Sequence, residues 1–279
     1  RPPDGSARRG GLDQQNRREQ AEIREQFENR AGTQLLTYEE TVRHRLHTEW
    51  DEHHIAVPEF TGRRVLKDFP LAELVPFIDW SPFFHTWELR GRYPDLLQDP
   101  VRGLAARELF ANAQELLNKI VDEKLFSAHA VYGFYPANSD GDDIVIYSDV
   151  TRTQELTRLH TLRQQKDNQR GKPQLALADF IAPRDSGRVD YIGAFALTTG
   201  QGAQELAEKF DKEQDQYNSI MAKALADRLA EAFAECLHKR VRGEWGYGKD
   251  ERLSHEDLIA EKYRGIRPAP GYPSQPDHT

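Results

Sequence analysis

Residues 264–279 constrain the fold most strongly, because they hold four prolines and two glycines in sixteen positions. Each proline fixes φ near about −65°, lacks an N–H donor and pushes the preceding residue toward extended backbone. The segment is therefore a stiff loop, and a stiff loop loses little entropy when a ligand contacts it. Within this loop, Arg267 provides a guanidinium that can bind an anion through two N–H groups, and Tyr272 provides an aromatic ring with a hydroxyl. On pattern alone, a proline-rich connector between packed elements is an equally good interpretation.

Composition excludes two classes of partner. The chain has 279 residues and a formal net charge of −8, whereas nucleic-acid-binding proteins favour a basic face. It contains no apolar run of about 18 residues, the length that a membrane-spanning helix needs. The single cysteine rules out an internal disulfide and is typical of a reducing compartment, so we expect a cytoplasmic protein.

Apolar periodicity predicts several helices. Between Leu104 and Leu125, apolar residues at positions 109, 113, 116, 117, 120 and 121 form a helical stripe. Acidic residues after Thr37 mark one helix start, and Pro82 marks another, with Ser81 as its N-cap. The alanine-rich stretch Gln204–Arg242 predicts one long helix or two.

Shorter apolar runs predict strands. The candidates are Ala130–Tyr135, Asp143–Tyr147 and Tyr191–Leu197. The first two flank the turn-rich residues 136–142, a pattern that predicts a hairpin. Helices mixed with neighbouring strands indicate an α+β fold with an antiparallel sheet.

Four segments, taken in order along the chain, carry a resemblance to a known family. They are Ile78–Phe84 (Ile-Asp-Trp-Ser-Pro-Phe-Phe), Leu177–Phe195, Met221–Glu235 and the run from Arg267, which begins Arg-Pro-Ala-Pro-Gly-Tyr-Pro. In this order they resemble the C-terminal S-adenosylmethionine-binding activation (reactivation) domain of cobalamin (vitamin B12)-dependent methionine synthase. The resemblance covers about residues 33–279.

The resemblance implies a fold and a domain organisation. The family has a single C-shaped α+β domain with a mainly antiparallel sheet flanked by helices, unlike a Rossmann methyltransferase. Residues 1–32 would be a linker from a preceding cobalamin-binding domain, partly disordered or helical. Residues 33–279 would be the activation domain, incomplete at its C-terminus.

The resemblance also assigns four ligand contacts. S-adenosylmethionine presents a carboxylate, an ammonium, a sulfonium, a ribose and an adenine. Arg267 would grip the carboxylate with two parallel N–H bonds, and Asp79 would accept from the ammonium beside the apolar ring of Trp80. The backbone around Ala269 would bind the adenine, and Tyr272 would lie near the sulfonium.

Three acidic residues, Asp227, Glu231 and Glu235, follow one another at i, i+4 and i+8 on one predicted helix face. Like charges at this spacing repel unless cations or donors meet them. Arg228 and nearby lysines within the domain are one source of such partners. The other is the cobalamin-binding domain, against which Asp227 and Glu231 would dock.

The function implied by the resemblance is repair. The domain would position S-adenosylmethionine as methyl donor for reductive remethylation of oxidised cobalamin, which a neighbouring domain of the same enzyme holds. A flavodoxin or flavoprotein reductase would supply the electron. The chain would thus be part of a larger enzyme, methionine synthase, and not catalytic by itself, so no catalytic side chain and no metal ligand is predicted.

Two other functions remain open at this point. An independent small-molecule methyltransferase would favour a deep pocket and a glycine-rich first loop, and neither motif is evident. A stand-alone S-adenosylmethionine-binding module could instead serve a separate corrinoid protein.

Two further patterns resemble binding motifs. Gly200 and Gly202 follow a predicted strand and precede a helix, but the third glycine of a dinucleotide fingerprint is absent. The run Asp51-Glu52-His53-His54 holds potential metal ligands, but adjacent residues rarely chelate without further ligands. We interpret the second pattern as a solvated polar turn.

Overall fold

The computed structural model describes residues 16–24, 35–51, 55–167, 171–269, 271–272 and 275. These residues form two compact units. The small unit contains the described residues within 1–48, 160–180 and 268–279, and the large unit contains those within 49–159 and 181–267. In the described part of the chain, no helix has the length and apolar character to cross a bilayer.

Helices and strands are mixed along the described chain, and β2 to β5 follow one another without an α-helix between them. The helices are α1 (Tyr38–Arg43), α2 (Leu71–Leu74), α3 (Ser81–Thr86), α4 (Gly103–Asp122), α5 (Ala203–Lys212), α6 (Gln216–Trp245) and α7 (His255–Ile259). The strands are β1 (Gly62–Leu66), β2 (Ser127–Asp140), β3 (Asp143–Tyr147), β4 (Glu155–His160) and β5 (Asp190–Gln201). Short 3-10 helices span Val75–Phe77, Asp95–Gln98, Leu177–Phe180 and Arg184–Ser186. Residues 16–24 are helical as well.

Strand β2 is the centre of the sheet. It pairs with β1 through Ala130–Phe134, with β3 through Ala137–Asp140 and with β5 through Ser127–Ala137, each time antiparallel. Strand β4 lies next to β3. This antiparallel sheet with its helices confirms the predicted α+β class.

The predicted hairpin is present, but its turn is shorter than predicted. Strand β2 continues to Asp140, which pairs with Asp143, and Gly141 turns the chain with a φ of 65°. Residues 136–139 therefore belong to the strand and not to the turn. Pro136 pairs with Tyr191 of β5, and on the other edge of β2 it lies between the stretch that pairs with β1 and the stretch that pairs with β3. A proline there interrupts neither of those two ladders.

Helices α4 and α6 supply much of the core of the large unit. Leu117 and Ile120 of α4 and Leu225 and Phe233 of α6 are fully buried, and each contributes about 1.5–3 kcal/mol relative to an exposed side chain. The helical stripe predicted between Leu104 and Leu125 is confirmed. This packing fixes α6 firmly, which matters because the polar residues described below lie on the same helix.

The alanine-rich stretch forms two helices. Helix α5 ends at Lys212, and the side chain of Asp215 accepts the N–H of Asn218 at 3.0 Å and caps α6. An N-cap aspartate satisfies one of the donors that a helix start leaves free. Of the two alternatives that the sequence left open, the second is correct.

The small unit depends on side-chain to backbone bonds. The predicted start of α1 is confirmed by a capping box, in which Thr37 and Glu40 bond each other's backbone N–H groups. Arg163 and Asp179 form a buried pair with two N–O distances of 2.7 Å, and Asp179 also accepts the N–H of Ala176. The aspartate in the Leu-Ala-Asp-Phe segment thus holds its own loop.

The Gly202→Ala substitution should destabilise the large unit markedly. Gly202 has a φ of 95°, and a Cβ there would lie 2.1 Å from the carbonyl oxygen of Leu125. Gly141→Ala is the matched control, because Gly141 also has a positive φ but faces open space. We expect the free energy of unfolding in urea to fall about 1–3 kcal/mol further for Gly202→Ala than for Gly141→Ala. Equal losses would contradict this close approach.

Candidate functional site

Asp79 lies directly before α3, next to an aromatic cluster. Its Oδ1 accepts the N–H of Ser81 at 3.0 Å, and its side chain is half-buried. Trp80 is buried, with its ring edge-on to Phe83 and Phe110 at centroid distances of 5.4 and 4.9 Å. The apolar wall predicted beside Asp79 is therefore present. Among the described residues, Oδ2 of Asp79 has no hydrogen-bond partner.

The predicted N-cap role of Ser81 is wrong by one position. Helix α3 begins at Ser81 itself, Trp80 occupies the N-cap position, and the carboxylate of Asp79 supplies the cap hydrogen bond. The hydroxyl of Ser81 instead accepts the N–H of Tyr93 at 3.1 Å. An aspartate side chain two residues back satisfies the same helix-start donor.

Arg267 is paired in the structure with a residue of α6. Its Nη2 donates to Oε1 of Glu235, and the two side chains are 22% and 20% exposed. Arg267 Nε and Glu235 Oε2 are buried and have no partner among the described residues. Nη1 of Arg267 forms no ion pair with a described residue, and the hydroxyl of Tyr263 lies beside the guanidinium. If a ligand carboxylate accepted one hydrogen bond from each Nη atom of Arg267, Nη2 would be shared between the ligand and Glu235.

A buried polar cluster surrounds this pair. Arg242, 1% exposed, donates from Nε to Glu251 at 2.9 Å, and its Nη1 lies 2.8 Å from Nδ1 of His238. Its guanidinium carbon lies 4.2 Å from the ring centre of Tyr263, which also meets His238 edge-on. Buried charges need such partners, because an unpaired one is costly.

Burial and neighbouring charge shift several pKa values in this cluster. Burial, followed by the charges of Arg242 and Arg267, lowers the pKa of His238 from 6.5 to about 3, so the ring is neutral at pH 7. Burial raises the pKa of Glu235, although Arg267 and Arg242 act in the opposite direction. Burial also raises the pKa of Tyr263, and Glu235 adds to this effect.

Ala269 and Tyr272 form a turn in the small unit. The N–H of Tyr272 donates to the carbonyl oxygen of Ala269 at 3.2 Å, and Gly271 has a φ of 94°. Tyr272 then pairs with Gln275, and its side chain is half exposed. The glycine permits the positive φ that such a turn requires. The final Pro-Asp-His-Thr motif lies outside the described residues.

The predicted ligand contacts are divided between the two units. Asp79 and Arg267 belong to the large unit, and Ala269 and Tyr272 belong to the small unit. Within the described part of the large unit, no hydrogen bond or ion pair joins Asp79 to Arg267. All four ligand assignments therefore stay predictions.

The acidic residues on α6 have different environments. Asp227 and Glu231 are exposed, whereas Glu235, one turn further on, is half-buried against Arg267. The sequence did not reveal this Arg267–Glu235 pair, because 32 positions separate its members. Helical spacing places Glu235, His238 and Arg242 on one face, so the sequence is sufficient to predict that these three side chains lie close together on α6.

The alternative motifs have structural explanations where they are described. The Gly200–Gly202 stretch does join a strand to a helix, but Gly202 is explained by its contact with Leu125. The described residues contain no group of three potential metal ligands. Glu52, His53 and His54 lie outside them, so our interpretation of that run as a polar turn stays a prediction.

A groove lies on a different part of the large unit. It has a volume of about 340 Å³ and lies between α4, α5 and the start of α6, with Lys119, Phe210 and Tyr217 among its lining residues. None of the predicted site residues lines it. The predicted contacts therefore do not coincide with this cavity.

Two comparisons with known proteins agree with the resemblance. The sequence model described as "Vitamin B12 dependent methionine synthase, activation domain" matches residues 70–279. A crystal structure of the MetH reactivation domain bound to AdoHcy is 47% identical in sequence, with a TM-score of 0.83. That match covers 88% of this chain and 75% of the other.

The buried, neutral histidine should make stability depend on pH. Below about pH 6.5 the unfolded chain protonates His238, whereas the folded chain keeps it neutral down to about pH 3. The contribution of His238 to the free energy of unfolding should thus fall as pH drops from 6.5 toward 3, by up to about 1.4 kcal/mol per pH unit. Urea unfolding at several pH values measures this slope.

The His238→Gln variant should show a shallower slope than the wild type. His85→Gln, at an exposed position of α3, should keep the wild-type slope. If the free energy of unfolding of His238→Gln has the same pH slope as that of the wild type, the assignment of this pH dependence to His238 is wrong.

Proposed function

The chain belongs to the family of vitamin B12-dependent methionine synthase activation domains, and we propose that it binds S-adenosylmethionine and presents its methyl group to oxidised cobalamin on another domain. The observation that carries this proposal is the 47% identical reactivation domain whose structure is described as bound to AdoHcy. AdoHcy is what S-adenosylmethionine becomes when its methyl group leaves. The cobalamin-binding domain is therefore the implied partner.

The two charged predicted contacts fit the amino-acid end of this ligand. Arg267 has one Nη without an ion-pair partner among the described residues, and one carboxylate oxygen of Asp79 has no hydrogen bond to a described residue. Two charge-assisted contacts of about 1.5–3 kcal/mol each supply roughly half of the ~8 kcal/mol that micromolar binding requires. Contacts of adenine with the backbone at Ala269, and of the sulfonium with Tyr272, would supply the rest.

The residues of this chain act by positioning. Bound S-adenosylmethionine would supply an electrophilic methyl group for the cobalamin that the partner domain holds, and a flavodoxin or flavoprotein reductase would supply the electron. Arg267 and Asp79 hold the amino-acid end, so the sulfonium has a fixed place. No side chain needs to act as a base, and we propose that the chain is not catalytic without the rest of methionine synthase.

Three further assignments are part of this proposal. We assign residues 33–279 to the activation domain and residues 1–32 to a linker from the cobalamin-binding domain. We place the protein in the cytoplasm on its cysteine usage. We also propose that Asp227 and Glu231, both exposed on α6, dock against the cobalamin-binding domain.

Calorimetric titration of the chain with S-adenosylmethionine tests ligand binding. We expect saturable binding that weakens about 10- to 150-fold in Arg267→Ala, the equivalent of about 1.5–3 kcal/mol. Asp79→Asn should also weaken binding while keeping an acceptor for the N–H of Ser81. Arg63→Ala, at an exposed position of β1, is the matched control and should bind like the wild type. An unchanged affinity in Arg267→Ala would refute the assignment of Arg267 to the carboxylate of S-adenosylmethionine.

Charge reversal tests the docking surface. In the holoenzyme, Asp227→Lys and Glu231→Lys should slow reductive reactivation several-fold and alter its salt dependence, since exposed interface charges act mainly on association. Their affinity for S-adenosylmethionine should stay at the wild-type value. Glu108→Lys, on the exposed face of α4, serves as control. Reactivation at the wild-type rate in both variants would rule this surface out.

A further inference from the structure

We propose that Glu235 is a positioning residue for ligand binding, which holds the guanidinium of Arg267 so that its Nη1 end receives the carboxylate of the ligand. This inference rests on the proposed role of Arg267 in binding S-adenosylmethionine. None of the motifs that carry the family resemblance assigns a role to Glu235. The geometry of the pair and the charges around it point to this role.

The contact is suited to orienting an arginine. Nη2 of Arg267 donates to Oε1 of Glu235, while Nη1 forms no ion pair with a described residue, and the neutral hydroxyl of Tyr263 lies beside the same guanidinium. A guanidinium is rigid and planar, so one fixed N–H fixes the direction of the others. An arginine that is already oriented loses less rotamer freedom when the ligand binds.

Glu235 is itself firmly placed. It lies on α6, next to the buried Ala234 and two residues before the fully buried Leu237. Arg267, in contrast, lies after α7 and outside any helix or strand. The helix therefore acts as the fixed support, and the loop residue is the one that is oriented.

The charges of the cluster indicate that Glu235 does more than compete with the ligand carboxylate for Arg267. Arg242 is already paired with Glu251, and both Arg242 and Arg267 lie close enough to His238 to lower its pKa. Among the described residues, Glu235 is the acidic group that pairs with Arg267. Without its charge, Arg267 would face the positive Arg242 and the neutral His238 and Tyr263, and repulsion from Arg242 would move it away from the cluster.

The test compares two ligands and a double-mutant cycle in the 279-residue chain. Glu235→Gln should weaken binding of S-adenosylmethionine about tenfold and leave binding of decarboxylated S-adenosylmethionine unchanged, because that ligand has no carboxylate for Arg267. In an Arg267→Ala background, Glu235→Gln should have no further effect on either ligand. Glu108→Gln, on the exposed face of α4, is the control.

The outcomes separate this inference from the proposed function. Tighter or unchanged binding of S-adenosylmethionine by Glu235→Gln overturns the positioning role, as does an equal loss for both ligands or a further loss in the Arg267→Ala background. Absent binding by the wild type instead overturns the proposed function, and full affinity in Arg267→Ala overturns the assignment of Arg267 to the carboxylate, on which this inference rests. If Glu235→Gln fails to fold in urea-unfolding controls, Glu235→Asp replaces it. The shorter side chain of Glu235→Asp should weaken binding of S-adenosylmethionine and leave binding of the decarboxylated ligand unchanged. Wild-type affinity for S-adenosylmethionine in this variant would overturn the positioning role of Glu235.

Discussion

The packing of α6 into the core is the constraint on which the rest of the large unit depends. This helix runs from Gln216 to Trp245, and residues such as Leu225, Leu229 and Phe233 are fully buried. A helix held along one face presents its other residues at fixed positions, because neighbours on a face recur every three to four residues. The core therefore fixes the positions of the three acidic residues on α6, which are Asp227, Glu231 and Glu235.

Local patterns in the sequence were enough to predict much of the fold. The apolar stripe of α4, the start of α1 and the α+β class followed from periodicity and capping. The errors occurred where contacts outside the local pattern decide the outcome. Pro136 lies in a strand because that strand pairs with β5 at Tyr191 and with β1 and β3 on its other edge. Ser81 is not the N-cap because Asp79 accepts its backbone N–H, while its hydroxyl accepts the N–H of Tyr93.

The candidate site was predictable only in part, for a similar reason. Motif resemblance named Arg267, but no local pattern indicates that its partner is Glu235, since the pair is set by how the chain after α7 returns to α6. The same return brings Tyr263 onto His238 and Arg242. The spacing of Glu235, His238 and Arg242 predicts that they share a helix face, but not which residues meet that face.

The shared helix has a consequence for how binding and docking combine. With a rise of about 1.5 Å per residue, Asp227 and Glu235 lie about 12 Å apart along α6, a distance comparable to the length of the proposed ligand. Because the helix is held by the core, a partner docked at Asp227 and Glu231 would be placed at a fixed distance from Arg267, the arginine that we propose Glu235 orients. Accurate placement of a methyl donor over a partner's cofactor requires such a fixed distance, because small displacements of reacting atoms are costly. In our proposal, docking and ligand orientation are thus connected through one rigid element.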